Sequence, residues 1–209
     1  SSGMSVSTID KPLFSNFVFA PHYYDGVVLL FKAWLGTSPD DALDRLRSTA
    51  VAWQSPMLLG EFGAPAETQG VEGYMEAQFD WLDRYWVSST QWNYTPGWRE
   101  DVKDGWNMED LSISDGSGTT RANFTPRPYP QRIAGTPGEF TRAHNGFTLS
   151  WNNDPAAGDT VVYLPAGYAE GKSVSLALPA GSGGSCMKEP GHLRCTVDRA
   201  GSVQLGFFR

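Results

Sequence analysis

Basic residues are in short supply in this chain, cysteines and histidines are fewer still, and no long apolar run occurs. The 209 residues carry 16 Lys and Arg against 23 Asp and Glu, a formal net charge of -7, with no Lys/Arg-rich run. Phosphate backbones need a basic face, so nucleic acid is not the expected partner. No stretch approaches the roughly 20 apolar residues of a membrane span. The opening Ser-Ser-Gly-Met-Ser has neither the basic nor the apolar region of a secretory signal, so any signal is expected to have been removed already. Three histidines (His22, His144 and His192) and two cysteines show no metal-ligand spacing. No metal site and no cofactor are expected.

The two cysteines, Cys186 and Cys195, flank a segment that turns at Glu189-Pro190-Gly191. A local hairpin crosslink is geometrically easy there, and a disulfide would imply an oxidising, secreted setting. The alternative is a pair of free surface thiols in a cytosolic protein.

What the chain does have is 40 % hydrophobic and 13 % aromatic residues, enough to pack a core in one large domain or two small ones. Pro56-Met-Leu-Leu-Gly-Glu-Phe-Gly-Ala-Pro65 is an apolar run that delivers one carboxylate, Glu61, into a Gly- and Pro-rich turn. Met57 to Leu59 have the continuous apolar character of a strand buried on both faces, as in parallel sheets. A charge at the carboxyl end of such a strand is costly unless it is paired or used, and in parallel barrels that end carries the chemistry. Glu61 is therefore a catalytic candidate, with helix capping or pairing to an Arg as the alternative.

Phe14 to Ala20 reads as an earlier strand running into Pro21-His-Tyr-Tyr-Asp25, and Val87 to Tyr94 as a later one ending at Trp92 and Asn93. Between them, Ser38-Pro39-Asp40-Asp41 starts a helix with a Ser cap, Pro at its first position and acids in its first turn. Leu43, Leu46, Ala50 and Trp53 recur on one face of it. Val71, Tyr74, Met75, Gln78, Leu82 and Tyr85 trace the stripe of a second helix. The apolar stretch Gly26 to Leu35 reads as buried core, or else as an apolar lip beside the site.

Strand, helix, strand, helix, strand at spacings of roughly 30 to 40 residues matches units of a (β/α)8 barrel, about 250 residues divided by eight. Residues 95–123, with Trp98 and Trp106, read as a long loop over the site. Beyond Gly138 the pattern alternates apolar and polar between short turns, which predicts an antiparallel β-sandwich. The expected organisation is α/β followed by all-β: the C-terminal part of a barrel over residues 1–137, then a sandwich over 138–209.

His22 and Tyr24, then Glu61, then Trp92, each at a strand end, resemble the second half of a glycoside hydrolase family 5 barrel. In that family strand six carries His-x-Tyr, strand seven ends in the nucleophilic Glu and strand eight ends in Trp. Ala20 to Asp25, Leu59-Gly-Glu-Phe-Gly63, Gln91-Trp-Asn93 and Asn123-Phe-Thr-Pro-Arg-Pro-Tyr-Pro130 are similar to the endoglycoceramidases of the family, which cleave glycosphingolipids between glycan and ceramide.

The resemblance implies strands 6–8 of a TIM barrel, with Glu61 as nucleophile, Tyr24 as its hydrogen-bond partner and His22 at the cleavage subsite. Trp92 would stack under the sugar, and Asn93 and Trp98 would line the wall. It implies a retaining β-glycosidase without cofactor, secreted and in peripheral contact with membranes. The family's acid/base is the Glu of an Asn-Glu pair. This sequence contains no such dipeptide, and neither Glu67 nor Glu100 ends a strand. A second polypeptide carrying the N-terminal barrel half is thus the expected partner. The competing expectations are another family 5 β-glycosidase, acting on a β-glucan or a simpler lipid glucoside, and a non-catalytic carbohydrate- or membrane-binding fragment.

Overall fold

The computed structural model describes residues 9–99, 101 and 110–209. The chain divides into two compact units, one ending at Thr125 and the other running from Pro126 to Arg209. Glu100 and Trp106 lie outside the described residues, as does the opening Ser-Ser-Gly-Met-Ser.

In the first unit three short parallel strands, β1 (His22–Tyr23), β2 (Leu58–Phe62) and β3 (Ser88–Gln91), form a sheet in the order β1-β2-β3. Helices α1 (Gly26–Phe31) and α2 (Asp40–Trp53) connect β1 to β2, and α3 (Val71–Tyr85) connects β2 to β3. Leu59 and Phe62 of the central strand are fully buried against Leu43 and Leu46 of α2 and Tyr74, Phe79 and Leu82 of α3. Two residues three apart reach the same core because the β2–β3 register shifts between them.

Two polar contacts lock the helices together: the Trp81 indole donates to Asp44 at 2.9 Å, and Arg84 pairs with Asp40 at 2.8 Å. The α2 helix starts one residue later than its sequence suggests. Pro39 takes the cap position, and Ser38 Oγ accepts from the Asp40 amide at 3.2 Å.

Two expectations for this unit change. The strand expected over 14–20 is confined to its end: pairing to the β2 segment begins at Phe19, whose amide donates to Pro56 O at 2.9 Å. Phe17 and Phe19 instead set their rings edge-on against Trp53 at the end of α2, while Phe14 and Val18 stay exposed. Pro21 has no N–H to give, which interrupts the ladder before β1.

The stretch Gly26 to Leu35, whose apolar run favours core over lip, is not core. Only Val28 is buried; Val27, Leu30, Phe31 and Leu35 are 60, 75, 69 and 88 % exposed. They are nonetheless held in place. Asp25 caps α1, and beyond it the Trp34 amide donates to Gln69 O and the Gln69 amide to Lys32 O, each at 2.8 Å.

The second unit is two four-stranded antiparallel sheets. One has the order β4-β7-β10-β9, from Tyr129–Arg132, Thr160–Tyr163, His192–Val197 and Gly184–Glu189. The other has the order β5-β6-β11-β8, from Gly135–Ala143, Gly146–Asn153, Gly201–Phe208 and Ser173–Ala177. Alternate residues are buried, among them Phe147, Leu149 and Trp151 of β6, Val203, Leu205 and Phe207 of β11, and Leu193 and Val197 of β10.

Buried Asn153 joins the sheets, accepting from the Trp151 indole at 3.0 Å and donating to Val197 O at 3.1 Å. β4 and the first residues of β5 precede residue 138, so the strands of this unit start earlier than the compositional change suggests.

Cys186 and Cys195 form a disulfide directly across the β9–β10 pair. In the chain-entropy model so short a loop is stabilised by about 2–3 kcal/mol. Replacing both cysteines with Ala should therefore lower the urea midpoint of this unit under non-reducing conditions, and an unchanged midpoint would show that the strand pairing alone carries the hairpin.

Candidate active site

The β1–β2 register sets His22 opposite Glu61. His22 Nδ1 lies 3.1 Å from Glu61 Oε2, and the Tyr24 hydroxyl donates to the same oxygen at 3.1 Å. Both partners converge on Oε2, which orients the carboxylate. At 29 % exposure for Glu61 and 47 % for His22, the group is open to a reactant.

Among the described residues Glu61 takes neither alternative role. Gly70 occupies the cap position of α3, without a side-chain cap, and the partners of Glu61 are His22 and Tyr24 rather than an Arg.

Glycine at position 60 leaves room for the imidazole. A Cβ there would stand 3.0 Å from His22 Cδ2 and 3.1 Å from Nε2, so the imidazole lies across the strand where a side chain would have been. Gly63 plays the same part for the third strand, since its Cβ would meet the Trp92 carbonyl oxygen at 2.4 Å.

The Trp92 amide donates to Phe62 O at 2.9 Å, which fixes Trp92 to the residue after Glu61. The Trp92–Asn93 peptide is cis. Asn93 is held through its backbone, its amide donating to Leu111 O and its carbonyl accepting from Ile113. The buried Asn93 Oδ1 and the Trp98 indole N–H have no hydrogen-bond partner among the described residues.

His22, Tyr24 and Glu61 thus come together in direct contact. Trp92 and Asn93 join them through the backbone of β2 and the following loop, and the Trp98 amide bonds to Thr95 O. Glu67 is engaged elsewhere, with Lys32 at 2.6 Å and Arg121 at 3.9 Å.

Asn123 has a larger part than its sequence shows. It is wholly buried, and its side-chain amide donates to the carbonyls of Ala64, Leu111 and Ser112 at 2.9, 3.1 and 3.3 Å. Gln91 Nε2 in turn donates to Asn123 O at 2.7 Å. This one residue ties the turn after β2, the end of β3 and the long loop together. An asparagine beside Phe and Pro in a run otherwise free of turn glycines was the available signal. Among the described residues no group of three or more His, Cys, Asp or Glu is close enough to hold a metal ion, and no helix is long and apolar enough to cross a membrane.

Residues 127–202 match the glycoside hydrolase family 5 C-terminal domain. The fold is that of endo-glycoceramidase II from Rhodococcus sp. in its ganglioside GM3 complex, with a TM-score of 0.70 at 22 % identity over 91 % of this chain and 42 % of that one. The matched segment is thus similar to a glycoside hydrolase family 5 C-terminal domain, and the chain shares the endo-glycoceramidase fold.

A glucosylceramidase of Cryptococcus neoformans var. grubii is similar at 23 % identity over 74 % of this chain and 29 % of its own length. Sterylglucosidase 1 of Cryptococcus neoformans shares the fold with a TM-score of 0.61 at 17 % identity, over 80 % of this chain and 31 % of that one. The chain therefore spans well under half the length of these relatives.

Asn123→Ala would take the side-chain donor from the Ala64 and Ser112 carbonyls and leave Leu111 O with the Asn93 amide alone. Unpaired buried polar groups cost about 1–3 kcal/mol, so the variant should melt several degrees lower by circular dichroism. Equal melting temperatures would show that the loop is held by other means.

Proposed function

We propose that this chain is the C-terminal part of a retaining β-glycosidase that cleaves glycosphingolipids between glycan and ceramide, with Glu61 as nucleophile. The observation that carries the proposal is the convergence of His22 and Tyr24 on one oxygen of a carboxylate at the end of the central parallel strand. In this reading β1, β2 and β3 are the last three strands of a (β/α)8 barrel, and the two antiparallel sheets form a β-sandwich after it in the chain. The Rhodococcus enzyme is also known as a lactosyl-enzyme intermediate, again with this fold (TM-score 0.66, 21 % identity, 91 % of this chain and 41 % of that one).

The Glu61 carboxylate attacks the anomeric carbon as the bond to the aglycone oxygen breaks, forming a glycosyl ester with inversion. An acid across the cleft protonates the departing oxygen. Water then attacks the anomeric carbon with a second inversion as its bond to the Glu61 oxygen breaks, gives its proton to the same residue acting as base and releases the sugar and the carboxylate, with overall retention. Tyr24 and His22 keep the carboxylate aligned for attack, and Trp92 presents an aromatic surface to the sugar ring.

Two features support a missing barrel half as the source of the acid. The sequence has no Asn-Glu pair, and β1 and β3 each pair on one side only among the described residues, an arrangement that folded proteins avoid leaving open. The acid would stand about 5–5.5 Å from Glu61, the separation of retaining enzymes. The disulfide supports secretion.

A simpler lipid glucoside is the second reading, favoured by the names of the fungal relatives. In both readings the exposed apolar residues of α1 receive the lipid, and the same lip gives the enzyme a peripheral hold on membranes.

Glu61→Gln keeps the shape of the side chain and removes its charge. In the enzyme assembled with its N-terminal half it should abolish turnover of an aryl β-glycoside, whereas near wild-type turnover would end the nucleophile assignment. The chain without that half should be inactive.

Replacing Leu30 and Phe31 together by Ser should raise KM for a glycolipid and spare the aryl glycoside. Equal loss on both substrates would remove the lipid from this surface.

A further inference from the structure

Tyr24 stands one residue beyond the end of β1, so the strand pairing that fixes His22 does not fix it. Its hydroxyl must nevertheless reach Glu61 Oε2. The next residue, Asp25, is held at its amide, its carbonyl and its carboxylate. The Asp25 amide donates to the Tyr74 hydroxyl at 3.4 Å, and its carbonyl accepts from the Leu29 amide at 3.0 Å. Its Oδ1 accepts from the amides of Val27 and Val28 at 2.8 and 3.2 Å, capping α1.

Tyr74 itself is rooted in α3, only 1 % exposed, with its ring centroid 6.3 Å from that of Trp34. Its hydroxyl also lies near that of Tyr23, the buried residue before Tyr24. The two residues flanking Tyr24 in sequence therefore both stand at one hydroxyl of the core helix, Asp25 through a hydrogen bond.

We propose that Tyr74 is the positioning residue for Tyr24, holding Asp25 on one side and Tyr23 on the other so that the Tyr24 hydroxyl meets the carboxylate. The proposal rests on the reading of Glu61 as nucleophile. Burial pushes the Tyr74 hydroxyl well above its ordinary range, and burial together with the Asp25 charge pushes Tyr23 up to about 12. Both phenols keep their protons at any pH at which the enzyme would work. A purely apolar core position would be filled as well by Phe, because the ring does the packing; the hydroxyl is the part with a task.

The test is a double-mutant cycle on the assembled enzyme with an aryl β-glycoside. Tyr74→Phe removes one oxygen and should lower kcat about three- to tenfold, the worth of one neutral hydrogen bond, with KM unchanged. Because Tyr74 acts through Tyr24, the Tyr24→Phe/Tyr74→Phe enzyme should be no slower than Tyr24→Phe alone.

Asp25→Ala, which removes the α1 cap, provides the same cycle should Tyr74→Phe fold poorly. Asp25→Asn, which keeps an Oδ1 acceptor, should restore the rate. Where Glu61→Gln silences the enzyme, full kcat in Tyr74→Phe, or effects of Tyr74→Phe and Tyr24→Phe that multiply, would overturn the positioning role alone. Turnover that survives Glu61→Gln would overturn the nucleophile and this role together.

Discussion

Everything in the first unit depends on the parallel pairing of two strands, one of them only two residues long. The β1–β2 register decides which side chain stands beside Glu61, and a slip by one residue would replace His22 with its neighbour Tyr23, which belongs to the core. The pairing is anchored on both sides. Phe19 and Pro21 bond to the approach of β2, and Leu59 and Phe62 lock β2 onto the helices. The site is precise because its strand is more constrained by packing than by its own length.

The second constraint is solvent. Val27, Leu30, Phe31 and Leu35 lie in water although their backbone is pinned at Asp25 and at Trp34. Each exposed apolar side chain forgoes about 1.5–3 kcal/mol of burial. A short helix capped at its start and clamped beyond its end, with its apolar residues turned outward, is better suited to receiving something apolar than to packing its own core.

Much of this was legible. Regular apolar spacing announced α2 and α3, because helices that pack on a sheet must repeat with the turn. Glu61 stood out because a lone charge in an apolar run has to be answered somewhere, and His22 and Tyr24 answer it. Other features left no such trace. Nothing local separates a buried apolar run from an exposed one, so α1 read as core. The polar β9, Gly-Ser-Cys-Met-Lys-Glu, lacks the alternation of a half-buried strand and is marked only by its cysteine. Asn123 gathers three carbonyls from two separate segments, a pattern that exists only after folding. Likewise the shared hydroxyl of Tyr74 cannot be told from packing when only its place on a helical stripe is known.

Gly60 sets stability and chemistry against each other at a single atom. Glycine inside a strand is a poor choice for folding, since it gives up more backbone freedom than any other residue, at about 0.5–1 kcal/mol relative to Ala. Its backbone here is not among those with positive φ, so alanine could adopt it without strain, and a search for thermostable variants would be drawn to this position. The added methyl would press on the imidazole at about 3 Å. A sturdier strand would thus come with a displaced histidine, and the missing side chain at the centre of the sheet is better understood as space reserved for the ring of another residue.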